Sequence, residues 1–323
     1  ATLLLFVNLL SRVLLMVACT KDIVVDLPET EQKLVIEGNI ESGQPPIVFL
    51  TRTQSYFSPT DLASLANVYI TEGNVTVNDG DTTRTLTKLC SGSLSPELLV
   101  IAAQLTGVDI ALLASINICA WTVDTINPFV GEPGRTYTLN VEADGKSASA
   151  VTTIPQIVTL DSLWFRLAQQ NPGDDSLGFI WSSLSDPDTL GNGYRWFTKR
   201  INQRIGGGPK DVSFVAPLFS VFEDRFFSGL TFEFPNSRGS MPFSSAVDDN
   251  NEEAGYYKRG DTVVVKFASL GRKEYKFYES YAGNVSSQGD LFSNPANVES
   301  NITGGLGVWV GYGTSLDTVV CVP

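Results

Sequence analysis

The sequence predicts an all-β fold of two sandwich-like domains: an immunoglobulin-like N-terminal domain with a short helical insertion and a larger C-terminal β domain with one helix. Three observations predict this class. Short segments of alternating apolar and polar residues recur along the chain, turns rich in Gly, Pro and Asn separate them, and helical signals occur in only three places. A length of 323 residues suits two domains of ordinary size.

The first segment predicts an exported, lipid-anchored protein. Residues 1–18 are apolar and end in small residues, as a signal peptide does. Met16-Val17-Ala18-Cys19 resembles the bacterial lipobox, so Cys19 is the expected lipidation site. A buried N-terminal helix with an incidental cysteine is the alternative. The polar residues that follow favour a tether over 19–32.

The N-terminal β domain is predicted over residues 33–156. Residues 33–52 predict two alternating strands joined by a Ser-Gly-Gln-Pro-Pro turn. Residues 134–155 predict a hairpin that turns at Asp144-Gly145. Strands of this length at regular spacing are typical of a β-sandwich.

The helical insertion lies inside that domain. Ser95 can cap a helix that begins at Pro96 and ends at Gly107, and Asp109 can cap a second one. The run 98–118 is apolar enough to suggest a membrane span. Asp109 near its centre would cost about 3 kcal/mol in a bilayer, and Gly107 interrupts it. We therefore expect two short helices packed on the sandwich.

The C-terminal β domain is predicted over residues 157–323. Strands are expected within 157–167, 219–235 and 260–270, where β-branched and aromatic residues recur. Residues 272–284 predict a single amphipathic helix, because aromatic residues recur there at a spacing of four.

Three cysteines remain after the lipobox. Export places them where disulfides form, and Cys90, Cys119 and Cys321 allow three different single bridges. The bridge that we favour joins Cys90 to Cys119, where loop closure would contribute roughly 3 kcal/mol in the chain-entropy model.

Composition excludes several classes of function. The 35 acidic and 22 basic residues give a net charge of −13, so no basic face for nucleic acid is expected. Histidine, the commonest general base and metal ligand, is absent from the sequence. This excludes a Ser-His-Asp triad, and we predict no cofactor and no catalytic residue.

Carboxylates are the remaining candidates for catalysis or metal binding. The carboxylate pairs that could support glycoside hydrolysis are Asp174/Asp175, Asp186/Asp188, Glu223/Asp224 and Glu252/Glu253. The oxygen-rich clusters that could attract calcium are Asp248, Asp249, Asn250, Glu252 and Asp186, Asp188, Asn192. Most lie in turn-like stretches and neither cluster matches a calcium loop, so solvated acidic loops and no metal site are predicted.

Aromatic residues suggest ligand capture by the second domain. They include Trp164, Phe179, Trp181, Tyr194, Trp196, Phe197, Phe226, Phe227, Tyr256 and Tyr257. Most are expected in the core because they alternate in strands. Tyr256 and Tyr257 are the predicted ligand-binding pair, since adjacent strand positions face opposite sides and one ring should be exposed.

Three segments carry a family resemblance. They are KLVIEG and PPIVFLTR within 33–52, GEPGRTYTLNVEADGKSASAVTTIP at 131–155 followed by LDSLWF, and the tail FYESYAGNVSSQGDLFSNPANVESNITGGLGVWVGYG at 277–313. With the lipobox they resemble a Bacteroidota lipoprotein family known only as a domain of unknown function, whose genes commonly neighbour those of TonB-dependent receptors. The resemblance implies a lipoprotein of the outer membrane that faces the cell surface.

The expected function follows from these points together. We expect a non-catalytic, surface-exposed outer-membrane lipoprotein that assists a TonB-dependent receptor in capturing peptides or oligosaccharides. One alternative is an adhesin or envelope-assembly lipoprotein without a small ligand. A second alternative is a carboxylate-dependent glycoside hydrolase.

Overall fold

The computed structural model confirms the all-β, sandwich-like class, and residues 32–323 form one compact unit. The described residues are 31–54, 61–106, 109–123, 129–168, 176–203, 208–239, 255–287 and 297–322. The predicted signal peptide 1–18, the lipidation site Cys19 and the predicted tether up to residue 30 lie outside them.

Short strands dominate the chain, as the alternating pattern predicts. The elements of the first half are β1 Leu34–Glu41, β2 Ile47–Arg52, α1 Leu62–Val68, β3 Asn74–Asn78, β4 Thr83–Thr85, β5 Thr87–Cys90, α2 Pro96–Thr106, α3 Ile110–Ser115, β6 Cys119–Thr122, β7 Thr136–Ala143 and β8 Lys146–Thr153. Those of the second half are β9 Ser162–Leu167, β10 Leu177–Ser185, β11 Gly193–Arg200, β12 Val221–Glu223, β13 Thr231–Asn236, β14 Tyr257–Lys258, β15 Thr262–Leu270, α4 Arg272–Ser286 and β16 Leu306–Val320.

One long sheet unites the two halves of the chain. Its eight strands run in the order β12-β11-β15-β16-β1-β2-β6-β5. The last strand, β16, pairs parallel with β1 and antiparallel with β15, so strands from both halves share one ladder. This corrects the predicted division into domains 33–156 and 157–323. The two predicted units share a sheet because the C-terminal strand returns to the N-terminal one.

Two apolar cores lie along the same face of this sheet. Alternating residues of β1, such as Ile36 and Ile40, pack against the four-stranded sheet β4-β3-β7-β8. Further along, Val265 and Phe267 of β15 pack against the sheet of β9, β10, β13 and β14. The strand register places these side chains on one face. The fold is therefore two neighbouring sandwiches that share their long sheet.

Helices cover parts of the opposite face. The insertion of α1, α2 and α3 packs over Phe49 of β2. At the other end, α4 packs over Val308, Val310 and Tyr312 of β16. Strand β1 lies between β2 and β16 in the long sheet. The two helical covers therefore flank β1.

Capping residues begin the helices of the insertion as the sequence predicts. The first predicted helix is α2, which begins at Pro96. Asp109 accepts the backbone N–H groups of Ala111 and Leu112 at the start of α3. Helix α1 was not predicted, although Asp61 caps it by accepting the Ser64 N–H at 2.7 Å.

The α4 helix extends two residues beyond the predicted end at 284. In the described segments, no helix combines the length and apolar character needed to cross a membrane.

Candidate binding surfaces

An aromatic platform covers the outer face of the smaller C-terminal sheet; we define it as Trp164, Arg166, Phe179, Trp181 and Tyr256. Strand pairing sets Trp164 directly beside Trp181, and Arg166 beside Phe179. The neighbouring residues Phe165 and Ile180 point into the core, so the alternation turns the platform residues outward. The four rings are half-buried against one another and their surroundings.

Stacking holds the platform together. The Arg166 guanidinium lies 5.0 Å from the Trp181 ring centre and 5.9 Å from that of Trp164. The Phe179 and Tyr256 ring centres are 5.0 Å apart. Half-buried rings beside a guanidinium provide apolar faces together with hydrogen-bond donors, which is the chemistry that binds sugar rings or peptide side chains.

The predicted pair Tyr256 and Tyr257 divides between this surface and the core. Tyr256 belongs to the platform. Tyr257 is fully buried, and its hydroxyl donates to Thr198 Oγ1 at 2.9 Å. A buried ring cannot contact a ligand, which corrects the prediction for Tyr257. The difference follows from the strand alternation, which turns only one of two adjacent rings outward.

A second group of polar and aromatic residues lies on the helix-covered face of the long sheet; we call it the β1 trough and define it as Glu37, Tyr69, Arg195, Tyr278 and the buried Tyr312. Tyr69 belongs to the apolar cluster of the insertion. Tyr278 of α4 and Tyr312 of β16 belong to the cluster on the other side. Glu37 is an exposed residue of β1, the strand between the covers.

Hydrogen bonds and stacking order one wall of the trough. Arg195 Nη1 donates to the Tyr312 hydroxyl at 3.0 Å, and the Tyr312 hydroxyl bonds that of Tyr278 at 2.9 Å. The Arg195 guanidinium lies 3.6 Å from the Tyr278 ring centre and 4.9 Å from that of Phe197. These contacts hold a cation between aromatic rings.

Desolvation shifts the pKa of two residues of the trough. The Glu37 side chain is exposed, yet desolvation by the surrounding protein raises its pKa, and the positive charge of Arg195 opposes this rise. Desolvation, followed by the negative charge of Glu37, raises the pKa of Tyr69.

The candidate pair Glu223 and Asp224 is engaged in structure. Asp224 is buried and accepts backbone N–H groups of Gly191 and Asn192, each at 2.9 Å. Glu223 pairs with Arg225 at 2.7 Å. Asp224 therefore fastens the turn before β11, and the pair does not present two carboxylates to a common substrate.

The two carboxylates of the 186–192 turn differ in burial. Asp186 is buried and accepts the Tyr194 hydroxyl and the Gly229 N–H, while Asp188 is exposed. Burial, followed by the bond to Asp186, raises the pKa of Tyr194. In the part of the chain that the structure describes, no group of three or more His, Cys, Asp or Glu residues could hold a metal ion.

The other acidic candidates lie outside the described residues. They are Asp174, Asp175, Asp248, Asp249, Asn250, Glu252 and Glu253.

A disulfide joins Cys90 and Cys119, which are directly opposite in the paired strands β5 and β6. Cys321 is a free, buried cysteine. Desolvation, with a smaller contribution from the negative charge of Asp261, raises the pKa of the Cys321 thiol to about 12. A thiol with that pKa stays protonated and unreactive at neutral pH.

Comparison with protein families matches nearly the whole chain to one family. Residues 20–316 match the family described as a domain of unknown function (DUF4249). The chain belongs to the DUF4249 family. No curated protein matches the chain. The predicted resemblance to a family known only as a domain of unknown function is thus confirmed. The matched range includes both candidate surfaces of this DUF4249 chain.

Two central residues of the DUF4249 trough were missed by sequence reasoning, Glu37 and Arg195. Each is a charged residue in an alternating strand, a position typical of a solvated face. The signal that was available is the charge at the centre of β1, between the apolar residues Ile36 and Ile40. Its meaning depends on the helices that flank it, which come from distant parts of the chain.

Proposed function

We propose that this DUF4249 protein is a non-catalytic, lipid-anchored protein of the outer-membrane surface that captures peptides or oligosaccharides for a TonB-dependent receptor. The observation that carries the capture role is the aromatic platform. The lipobox at Cys19 and the family resemblance support the location and the receptor partner.

The platform supports capture because its rings face outward from a rigid sheet. Trp164 and Trp181 are cross-strand neighbours on β9 and β10, which fixes their spacing. Rings placed in this way stack on a ligand at little cost in side-chain entropy, since their conformations are already restricted. Arg166 between them supplies hydrogen-bond donors for a hydroxyl or a carbonyl group.

The receptor partnership is tested by native copurification. The tagged, lipidated protein is extracted from its own outer membrane in mild detergent and analysed by mass spectrometry. We expect a stoichiometric TonB-dependent receptor in the eluate. Recovery of the protein without any receptor would count against the partnership and favour the adhesin or envelope-assembly alternative.

The capture role is tested by glycan and peptide arrays with platform variants. Trp164→Ala should weaken array binding about two- to thirteenfold, because aromatic stacking contributes roughly 0.5–1.5 kcal/mol per pair. Phe226→Ala is the matched control, since Phe226 is 87% exposed and lies outside the platform. Equal binding by both variants and the parent protein would contradict capture at the platform.

A further inference from the structure

The helical insertion presents an apolar surface to the outside; we call it the insertion face and define it as Leu89, Leu98, Val100, Ile101 and Ile110. Each of these side chains is 40–50% exposed. Three lie on α2, one lies on α3 and one lies on the neighbouring edge strand β5. Large apolar side chains that share one surface are typical of a contact with an apolar partner.

Helix α2 is apolar on both of its sides. Leu99 and Ala103 pack into the apolar cluster of the insertion. Leu98 and Ile101, three residues apart on the helix, lie on the exposed side. A surface helix normally carries charged residues on its outer side, whereas a helix that is apolar all round has an apolar environment all round. The outer side of α2 therefore indicates a partner that is itself apolar.

The segment around the face is also poor in charge. Residues 91–122 contain two charged residues, Glu97 and Asp109, and no lysine or arginine. Glu97 lies in the first turn of α2, and Asp109 caps the beginning of α3. Both charges are thus placed at helix ends, which leaves the body of each helix aliphatic.

Strand β5 extends the face beyond the helices. Leu89 lies opposite Ala120 in β6, and Ala120 lies opposite Phe49 in β2. Residues that are directly opposite in neighbouring strands share one side of a sheet. Phe49 packs under the insertion. Leu89 therefore faces the same side of the long sheet as the helices do.

The chain enters the fold beside the insertion. The carbonyl oxygen of Lys33, the residue before β1, accepts the Thr53 N–H at 3.0 Å. Next to it, Arg52 Nη1 donates to the carbonyl oxygen of Asn67 in α1 at 2.9 Å. Leu65 of α1 packs in the same cluster as α2 and α3. The start of β1 and the insertion therefore lie at one end of the fold.

The length of the predicted tether limits how far this end can lie from a membrane. Residues 20–32 separate the predicted lipidation site Cys19 from Lys33. Fully extended, a segment of this length spans at most about 45 Å. A bilayer that holds the lipid on Cys19 is therefore within about 45 Å of Lys33.

We propose that the insertion face lies in the membrane leaflet that holds the lipid anchor and forms a second point of attachment to it. The inference rests on the lipid anchor of the proposed function. Helix α2 has 11 residues, whereas a spanning helix needs about 20. It therefore lies along the interface, with its outer side immersed by about 5–10 Å.

The chemistry of the face favours lipid over a protein partner. Protein interfaces are enriched in aromatic residues and arginine, and residues 91–118 contain neither. Aliphatic side chains match the acyl chains of lipids. Without a basic residue in this segment, the contact depends on apolar burial and not on attraction to anionic headgroups. Neutral lipids should therefore be sufficient.

The test measures the depth of a spin label in vesicles of phosphatidylcholine that carry the lipidated full chain. The label is attached to Ile101→Cys, and its collisions with oxygen are compared with its collisions with a water-soluble nickel complex. Labelling is specific because Cys90 and Cys119 form a disulfide, Cys321 is buried and Cys19 carries the lipid in this proposal.

The matched control is Val151→Cys. Val151 is 52% exposed and lies on β8, in the four-stranded sheet on the other side of the fold. We expect the label at Ile101 to lie about 5–10 Å below the headgroups and the label at Val151 to stay in water. Adding Leu98→Asp to the Ile101→Cys variant should return its label to water, because a carboxylate is costly to bury in hydrocarbon.

Two results would overturn the proposal alone. One is that the labels at Ile101 and Val151 are equally exposed to water. The other is dipolar broadening between labels at Ile101, which would assign the face to a second copy of the chain. Mass spectrometry of Cys19 is a separate measurement. An unmodified Cys19 would remove the anchor from the proposed function and overturn this inference with it, whereas a lipidated Cys19 with a water-exposed label would leave the proposed function intact.

Discussion

Replacement of Asp224 with alanine removes the carboxylate that fastens the turn before β11. Asp224 is 1% exposed, and its two oxygens accept the N–H groups of Gly191 and Asn192 at 2.9 Å. Hydrogen bonds to a charged group contribute about 1.5–3 kcal/mol each, and water can replace part of this at a half-exposed turn. We therefore expect Asp224→Ala to lower the free energy of unfolding by about 3 kcal/mol.

Urea unfolding, followed by tryptophan fluorescence, measures this loss. Asp224→Asn keeps one acceptor oxygen and should lose about half as much stability. Glu223→Gln is the adjacent control and should lose less than about 1 kcal/mol, because its partner Arg225 is 56% exposed. The reasoning is refuted if Asp224→Ala unfolds within about 1 kcal/mol of the parent protein.

Three further changes have defined outcomes. Replacing Cys90 and Cys119 with serine should lower the free energy of unfolding in urea by about 3.5 kcal/mol, because the bridge closes a loop with a sequence separation of 29. The reduced parent protein is the control, and a loss below about 1 kcal/mol would contradict this expectation. Gly38→Ala places a Cβ 2.9 Å from a buried indole of β16 and should lower the free energy of unfolding, measured by thermal unfolding, by about 1–3 kcal/mol. The control is Gly283→Ala in α4, whose added Cβ meets no atom within 4 Å and should not lower the protein's stability. Because folding raises the pKa of Glu37, its ionised form costs stability above that pKa, and the cost disappears as pH falls through it. Glu37→Gln should therefore melt at a higher temperature than the parent at pH 7, with the difference shrinking in acid; a lower melting temperature at pH 7 would exclude this.

The all-β class and the helix starts followed from the sequence because their causes are local. Alternation indicates which residues of a strand face an apolar layer, and the side chain of Asp109 caps the beginning of α3. Helix α1 was not predicted because it has only seven residues. Its capping residue, Asp61, was the available signal.

The shared sheet could not be predicted from the sequence because it depends on strand pairing between the chain's two ends. The pairing of Gly38 with Trp309 brings residues from opposite ends of the fold together. No local pattern specifies which strand pairs with which, so the end of the predicted hairpin at residue 155 suggested a domain boundary. The return of β16 to β1 removes that boundary.

The sequence by itself determined the layered β architecture, the acidic character and the exclusion of histidine chemistry. It also marked Tyr256 as a residue to follow. Only the tertiary structure decided that Tyr257 is buried, that Asp224 fastens a turn and that the Arg195 guanidinium stacks on the Tyr278 ring. Alternation shows that a side chain faces away from the core, whereas the covering elements, folded from distant segments, decide whether that side chain meets water, a partner charge or a ligand.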